Sequence, residues 1–257
     1  MCRKAHGAPF ATFTDCPSEA FEWVAGESNI RTYSSSTDLT RAFCKTCGSA
    51  VPGTVSSGER VFMPAASFDD DPMLRGGQHL FVGSKAAWHQ IADDLVQHDG
   101  YPGDSQYVDL DVAERPALEP ASSGIMRGSC LCGSCAFEVT APFQAVHNCH
   151  CSRCRKARGA AHTTNGFVPA ESVNWVRGRD LVEVYILPTA KAFSQAFCTN
   201  CGSGMPRTDK TDGLISVPFG SLDDEPNMGP MDHIFTDSRA PWYDPEDDLP
   251  KFEQLPT

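Results

Sequence analysis

Residues 42–49 read Ala42-Phe43-Cys44-Lys45-Thr46-Cys47-Gly48-Ser49, and residues 196–203 read Ala196-Phe197-Cys198-Thr199-Asn200-Cys201-Gly202-Ser203. The same C-x-x-C-G knuckle thus occurs twice, in the same flanks, at an offset of 154. Downstream the register holds: 67–72 matches 221–226, and 79–99 aligns with 233–253 without a gap, pairing His79 with His233 and Trp88 with Trp242. Upstream the offset becomes 152, with 2–8 matching 154–160 and Trp23 matching Trp175. One two-residue gap relates the halves, so the 257-residue chain reads as a tandem duplication. The expected organisation is an incomplete unit at 1–99, a linker rich in Pro, Gly, Asp and Ser at 100–126, and a complete unit at 127–257.

The halves differ at their beginnings. Met1 aligns with Arg153, so copy one has no counterpart of 127–152. The expectation is that Met1 is internal to a longer reading frame, with an in-frame C-x-C and C-H-C-S encoded upstream. Secondary structure reads as short β segments at 135–140, 181–187, 194–198 and 214–219, punctuated by Gly and Pro, with no long stretch of helical period.

Twelve cysteines in 257 residues are too dilute for a disulfide scaffold, and no secretory leader or 18-residue apolar run is seen. The expectation is a cytoplasmic chain that does not enter a membrane. The net charge of −12 disfavours a nucleic-acid partner held through its phosphates. Close-set cysteines then read as metal ligands, against the blander readings of buried thiols or disulfides. Sulfurs about 2.3 Å from zinc lie about 3.8 Å apart in a tetrahedron. Cys130-x-Cys132, taken as neighbours on one face of a strand, and Cys198-x-x-Cys201, taken as a tight knuckle with Gly202 at positive φ, make one closed four-thiolate set. Cys149, Cys151 and Cys154 make a second set. Three protein ligands leave a position for water or substrate, the mark of a catalytic zinc, unless water or an unseen side chain closes it. Cys16 and Cys135 read as buried thiols.

Neighbouring residues have modest readings. His150 lies between two ligands and reads as an orienting or structural residue. Arg155 and Lys156 are candidate contacts for a substrate carboxylate, with a solvated basic pair as the default. Asp223-Asp224 and Asp247-Asp248 look like turns and caps, and Trp175 and Trp242 like core or lid residues.

The ordered motifs G-x-C-x-C-G, C-H-C-S-x-C-R-K, F-C-x-x-C-G-S, G-S-L-D-D and H-I-F-x-x-S-R-A-P-W resemble the glutathione-dependent formaldehyde-activating enzyme family, which also includes centromere protein V. The resemblance covers nearly all of 127–257 and, without its opening, 2–99. It implies a mainly β, Mss4-like (β-tent) zinc-binding fold in two tandem copies. It also implies a structural zinc on Cys130, Cys132, Cys198 and Cys201, and a catalytic zinc on Cys149, Cys151 and Cys154. The implied activity is a carbon–sulfur lyase acting on a small-molecule thiol such as glutathione and an aldehyde such as formaldehyde. The zinc would hold the substrate thiolate or polarise the aldehyde. Copy one keeps Cys44, Cys47 and Cys2 but not their partners, so two zincs per chain are expected, both in copy two, with copy one partly unfolded or dependent on copy two. The competing reading is a non-catalytic zinc module like centromere protein V.

Overall fold

A computed structural model of the chain describes residues 1–37, 39–54, 57–103, 116, 124–207 and 213–256. Most of the expected linker lies outside the described residues. Copy one runs α1 (Cys2–His6), β1 (Phe13–Pro17), β2 (Ile30–Ser34), β3 (Thr40–Cys44), β4 (Ala50–Val51), β5 (Gly53–Thr54), β6 (Arg60–Pro64), β7 (Gln78–His79) and β8 (Val96–Gln97). Copy two runs β9 (Met126–Ser129), β10 (Ala136–Val139), β11 (Ala145–Cys149), α2 (Ser152–Arg158), β12 (Thr163–Pro169), β13 (Val173–Arg177), β14 (Val182–Ile186), β15 (Ser194–Cys198), β16 (Gly204–Met205), β17 (Leu214–Pro218) and β18 (Asp232–Ile234). The fold is mainly β, and the four segments read as strands from the sequence fall on β10, β14, β15 and β17. Among the described residues no helix is long and apolar enough to cross a membrane.

The duplication is visible in the sheets. β2-β3-β4 repeats β14-β15-β16, and β1-β6 repeats β12-β17. In copy two, β11 lies between β12 and β18, completing the order β17-β12-β11-β18. Among the described residues copy one shows no counterpart of β11. Its equivalents therefore fall into two separate sheets, β1-β6-β5 and β7-β8.

Copy one is nevertheless folded against copy two, and the contacts obey an approximate two-fold relation. Phe43 of β3 meets Phe197 of β15 edge to face at 6.5 Å. Lys4 pairs with Asp223 at 2.9 Å, and the equivalent Lys156 pairs with Asp69. Lys4 also donates to the carbonyls of Ser129 and Ser221, and the Gln195 amide donates to the carbonyl of Cys47 at 2.7 Å. Each knuckle glycine packs beneath the other copy's phenylalanine. A Cβ on Gly48 would lie 2.3 Å from Phe197 Cγ, and one on Gly202 would lie 2.6 Å from Phe43 Cγ. The dependence of copy one on copy two is thus a shared interface rather than partial unfolding.

This interface makes a stability prediction. Gly48 has φ 71°, so Gly48→Ala adds left-handed backbone strain to the clash with Phe197, together about 2–4 kcal/mol. Gly26→Ala, at φ 78° with nothing within 4 Å, carries only the backbone part. Urea midpoints should therefore fall further for Gly48→Ala; equal shifts would mean that the copies do not pack this way.

Candidate metal centres and their surroundings

Cys130 and Cys132 sit on the turn between β9 and β10, where the strand reading had put them on one extended face. The Gly133 N–H donates to the Cys130 carbonyl at 3.1 Å, and Gly133 takes φ 74°. The correction has a geometric cause. Residues i and i+2 of a strand are about 6.6–6.8 Å apart, whereas the turn brings these two sulfurs to 3.4 Å. On the other side, the Cys198–Cys201 knuckle closes with Gly202 at φ 72°, and Cys132 Sγ lies 3.9 Å from Cys198 Sγ. All four sulfurs lie within 4.8 Å of one another. These separations bracket the roughly 3.8 Å expected of a tetrahedral thiolate site, so the set fits a zinc-sized soft cation. The Cys135 N–H donates to Cys130 Sγ at 3.2 Å, and its own thiol reaches Cys130 and Cys198 without joining the four-sulfur group.

Cys149 ends β11, Cys151 is the N-cap of α2, and Cys154 lies in its first turn. Their three sulfurs also lie within 4.8 Å of one another, packed against Ile234 and Phe235. Phe235 holds φ 58°, an uncommon conformation for a bulky residue. The Cys151 thiol is drawn down to about 2 by S–H donation from Cys149 and Cys154, and Cys149 is pushed up by the same neighbours. Sulfurs this close cannot all ionise alone, and a bound cation relieves the repulsion. Both clusters can therefore hold a metal ion.

The basic pair beside the second cluster has partners within the chain. Arg155 Nε donates to the carbonyls of His150 and Ser238, at 3.2 and 3.1 Å. Lys156 pairs with Asp69 of copy one. Asp223 pairs with Lys4 and Asp224 with Arg127, so each is tied to a base elsewhere in the chain. Asp247 does cap a turn, accepting from the Leu249 N–H at 3.1 Å. It also accepts from His233 Nε2 at 2.9 Å, and His233 Nδ1 lies 2.8 Å from His150 Nε2. If His233 donates to Asp247, its Nδ1 is an acceptor, so His150 Nε2–H donates to it. His150 is thus oriented by a chain of donors that ends on a carboxylate.

His150 is fully buried in a ring cluster to which both copies contribute. His162 lies 5.0 Å from it, Tyr243 6.0 Å, and Phe10 and His89 of copy one reach His162 at 5.5 and 6.3 Å. Both His162 ring nitrogens and His150 Nδ1 are buried without a partner among the described residues. Burial holds His162 well below the usual imidazole range and lowers His6 from 6.5 to about 4. These imidazoles fold neutral, whereas the unfolded chain takes up their protons below about pH 6.5. Stability is therefore whole above 6.5 and is lost as pH falls toward 4, by about 1.4 kcal/mol per pH unit for each histidine. Urea midpoints between pH 7.5 and 5 should show this slope, and a flat profile would contradict it.

The sequence reading missed one group. The pairing of β11 with β12 and β18 puts Cys149 level with Thr163 and Ile234, and His147 level with Asn165 and Asp232. Residues two apart share a sheet face, so the polar row lies on the face that carries Cys149. His147 Nδ1 donates to Asp232 Oδ1 at 2.7 Å, and the Asn165 amide donates to Thr163 Oγ1 at 2.9 Å. The alternation along β11 could have singled out His147. Nothing local could have paired it with Asp232, which is 85 residues away on a parallel strand.

Comparison with known proteins adds a family. The model of the glutathione-dependent formaldehyde-activating enzyme family matches residues 1–84 and 125–238. A protein of Fusarium vanettenii with the provisional name glutathione-dependent formaldehyde-activating enzyme is 27% identical over 143 residues, covering 50% of this chain and 69% of its own length. A crystal structure of a Rhodobacter sphaeroides protein is 25% identical, covers 41% of this chain and 98% of its own, and superposes with a TM-score of 0.32.

Proposed function

This chain belongs to the glutathione-dependent formaldehyde-activating enzyme family, and from that premise we propose that it is a zinc-dependent carbon–sulfur lyase. It joins a glutathione-like thiol to a small aldehyde such as formaldehyde, and cleaves the adduct in reverse. In the forward direction a C–S bond forms, the carbonyl π bond opens to a hydroxyl, and the proton lost by the thiol ends on that oxygen. The observation that carries this reading is the pair of thiolate clusters, one of four sulfurs and one of three.

We assign Cys130, Cys132, Cys198 and Cys201 to a structural zinc and Cys149, Cys151 and Cys154 to a catalytic one, giving two ions per chain. At the three-sulfur site zinc would supply Lewis acidity and keep a thiol ionised at neutral pH. The protein's own residues do the rest. Cys151 begins α2 and accepts from the Cys154 N–H at 3.4 Å, which fixes the spacing of two of the ligands. Thr163 stands opposite Cys149 on β12. Phe235 and Ile234 screen the cluster from water on one side. Arg155 and Lys156 we assign to the Ser238 loop and copy one instead of the substrate. The unit boundaries of 1–99 and 127–257 follow the repeat, and the free thiols suit a reducing compartment, so we place the chain in the cytoplasm.

The test is formaldehyde consumption by the full chain in the presence of a thiol panel, with and without a chelator, alongside a DNA shift assay at stated salt. Thiol-dependent, chelator-sensitive consumption supports the lyase. DNA binding without consumption supports the non-catalytic module.

A further inference from the structure

The three-sulfur cluster supplies one kind of partner, soft donors for a metal and a thiol. An aldehyde–thiol adduct also carries a hydroxyl, for which cysteine sulfur is only a weak acceptor. The polar row two residues away on the same face provides one. We propose that His147, held by Asp232, binds that hydroxyl; this rests on the lyase reading above.

The arrangement follows from the sheet. His147 lies two residues before Cys149 on β11, about 6.6–6.8 Å along the strand and on the same face. Asp232 stands directly opposite on β18 and takes the Nδ1 proton, at 2.7 Å. That bond fixes the tautomer, leaving a lone pair on Nε2, which has no partner among the described residues. The side chains of His147 and Asp232 are 19% and 10% exposed, sheltered yet reachable. Phe167 stands against the imidazole, with ring centroids 5.7 Å apart, and limits its rotation.

Neighbouring polar groups on this face pair with each other. The Asn165 amide nitrogen donates to Thr163 Oγ1. His147 Nε2 is an imidazole acceptor on this face, held in place by Asp232.

A purely structural tie between β11 and β18 makes a different prediction, and two variants separate the roles. In Asp232→Asn the amide can still tie the strands, but by donating to Nδ1 it moves the ring proton to Nε2 and removes the acceptor. In His147→Phe the acceptor is lost outright, while His147→Gln retains an amide oxygen. With glutathione and formaldehyde as probes on the zinc-loaded full chain, kcat/KM should fall about 10–100-fold in Asp232→Asn and His147→Phe. His147→Gln should recover part of the loss, and the melting temperature of Asp232→Asn should stay near wild type. Nitrogen-15 spectra of the imidazoles give a readout independent of turnover. The resonance absent from His147→Phe should report an Nδ1–H tautomer in the wild type and an Nε2–H tautomer in Asp232→Asn. In the wild type its Nε2 signal should move when glutathione and formaldehyde are added together. An active wild type whose variants match it, with an unmoved Nε2, overturns this assignment alone. A wild type that consumes no formaldehyde with any thiol overturns the lyase reading, and this assignment with it.

Discussion

Cys151→Ser is expected to abolish thiol-dependent formaldehyde turnover while leaving the fold intact. Serine is the right replacement because Cys151 does two jobs. Its sulfur belongs to the three-member cluster, and the residue is the N-cap of α2, accepting from the Cys154 N–H at 3.4 Å. Serine is among the preferred N-caps, so the start of the helix survives. What disappears is one soft ligand of three, and two cysteines alone hold zinc poorly. Zinc should fall from two ions per chain to one. Turnover should drop by at least about a thousandfold, as expected when the group that stabilises developing charge is lost. The melting temperature should change by only a few degrees. Metal analysis and formaldehyde consumption on the same sample check the two halves. Unchanged turnover would remove the catalytic role of the cluster, and two retained ions would show that another residue completes the site.

The parts of this molecule that are local in sequence were legible in it. The knuckle at 198–202 with its strand β15, and the cysteine spacing at 149–154, are each set by neighbours a few residues apart, whereas β11, α2 and β12 around the second cluster were not read as elements. The duplication was legible because Phe43, Gly48, Phe197 and Gly202 recur at one offset; that each glycine accommodates the other copy's ring could not be read, because it needs the relative placement of the copies. The C-x-C pair lies beside the knuckle, but on a turn where a strand was expected, because the spacing C-x-C does not by itself choose between the two backbones. The pairing of His147 with Asp232 was invisible for a further reason. Parallel pairing of β11 with β18 leaves no turn signal between them.

Cys198→Ser should have a larger effect than any change at the open cluster, and of another kind. Cys198 is fully buried, its sulfur lies 3.9 Å from Cys132 Sγ, and it ends the strand that carries Phe197. The four sulfurs join the β9–β10 turn to the β15–β16 knuckle inside the main core, among Phe137, Val139 and Met205. Polar groups lie directly against the cluster. The Cys135 N–H donates to Cys130 Sγ, and Ser203 Oγ lies 3.3 Å from Cys201 Sγ while accepting from the Leu131 N–H. Structural zinc contributes about 10–16 kcal/mol in small zinc-finger peptides. Whole domains are stable by only about 5–15 kcal/mol. Losing one ligand should therefore remove most of the stability of copy two, not loosen one corner of it. Phe43 packs on Phe197, so copy one should melt in the same transition. The expected observation is a single cooperative unfolding that moves down by tens of degrees, or vanishes, in Cys198→Ser. The wild type should follow under a chelator strong enough to strip both ions, while a weaker chelator empties the open site first and spares the fold. If stripping both ions leaves the melting curve in place, the four sulfurs are not a structural metal site, and the core of copy two stands on apolar packing alone.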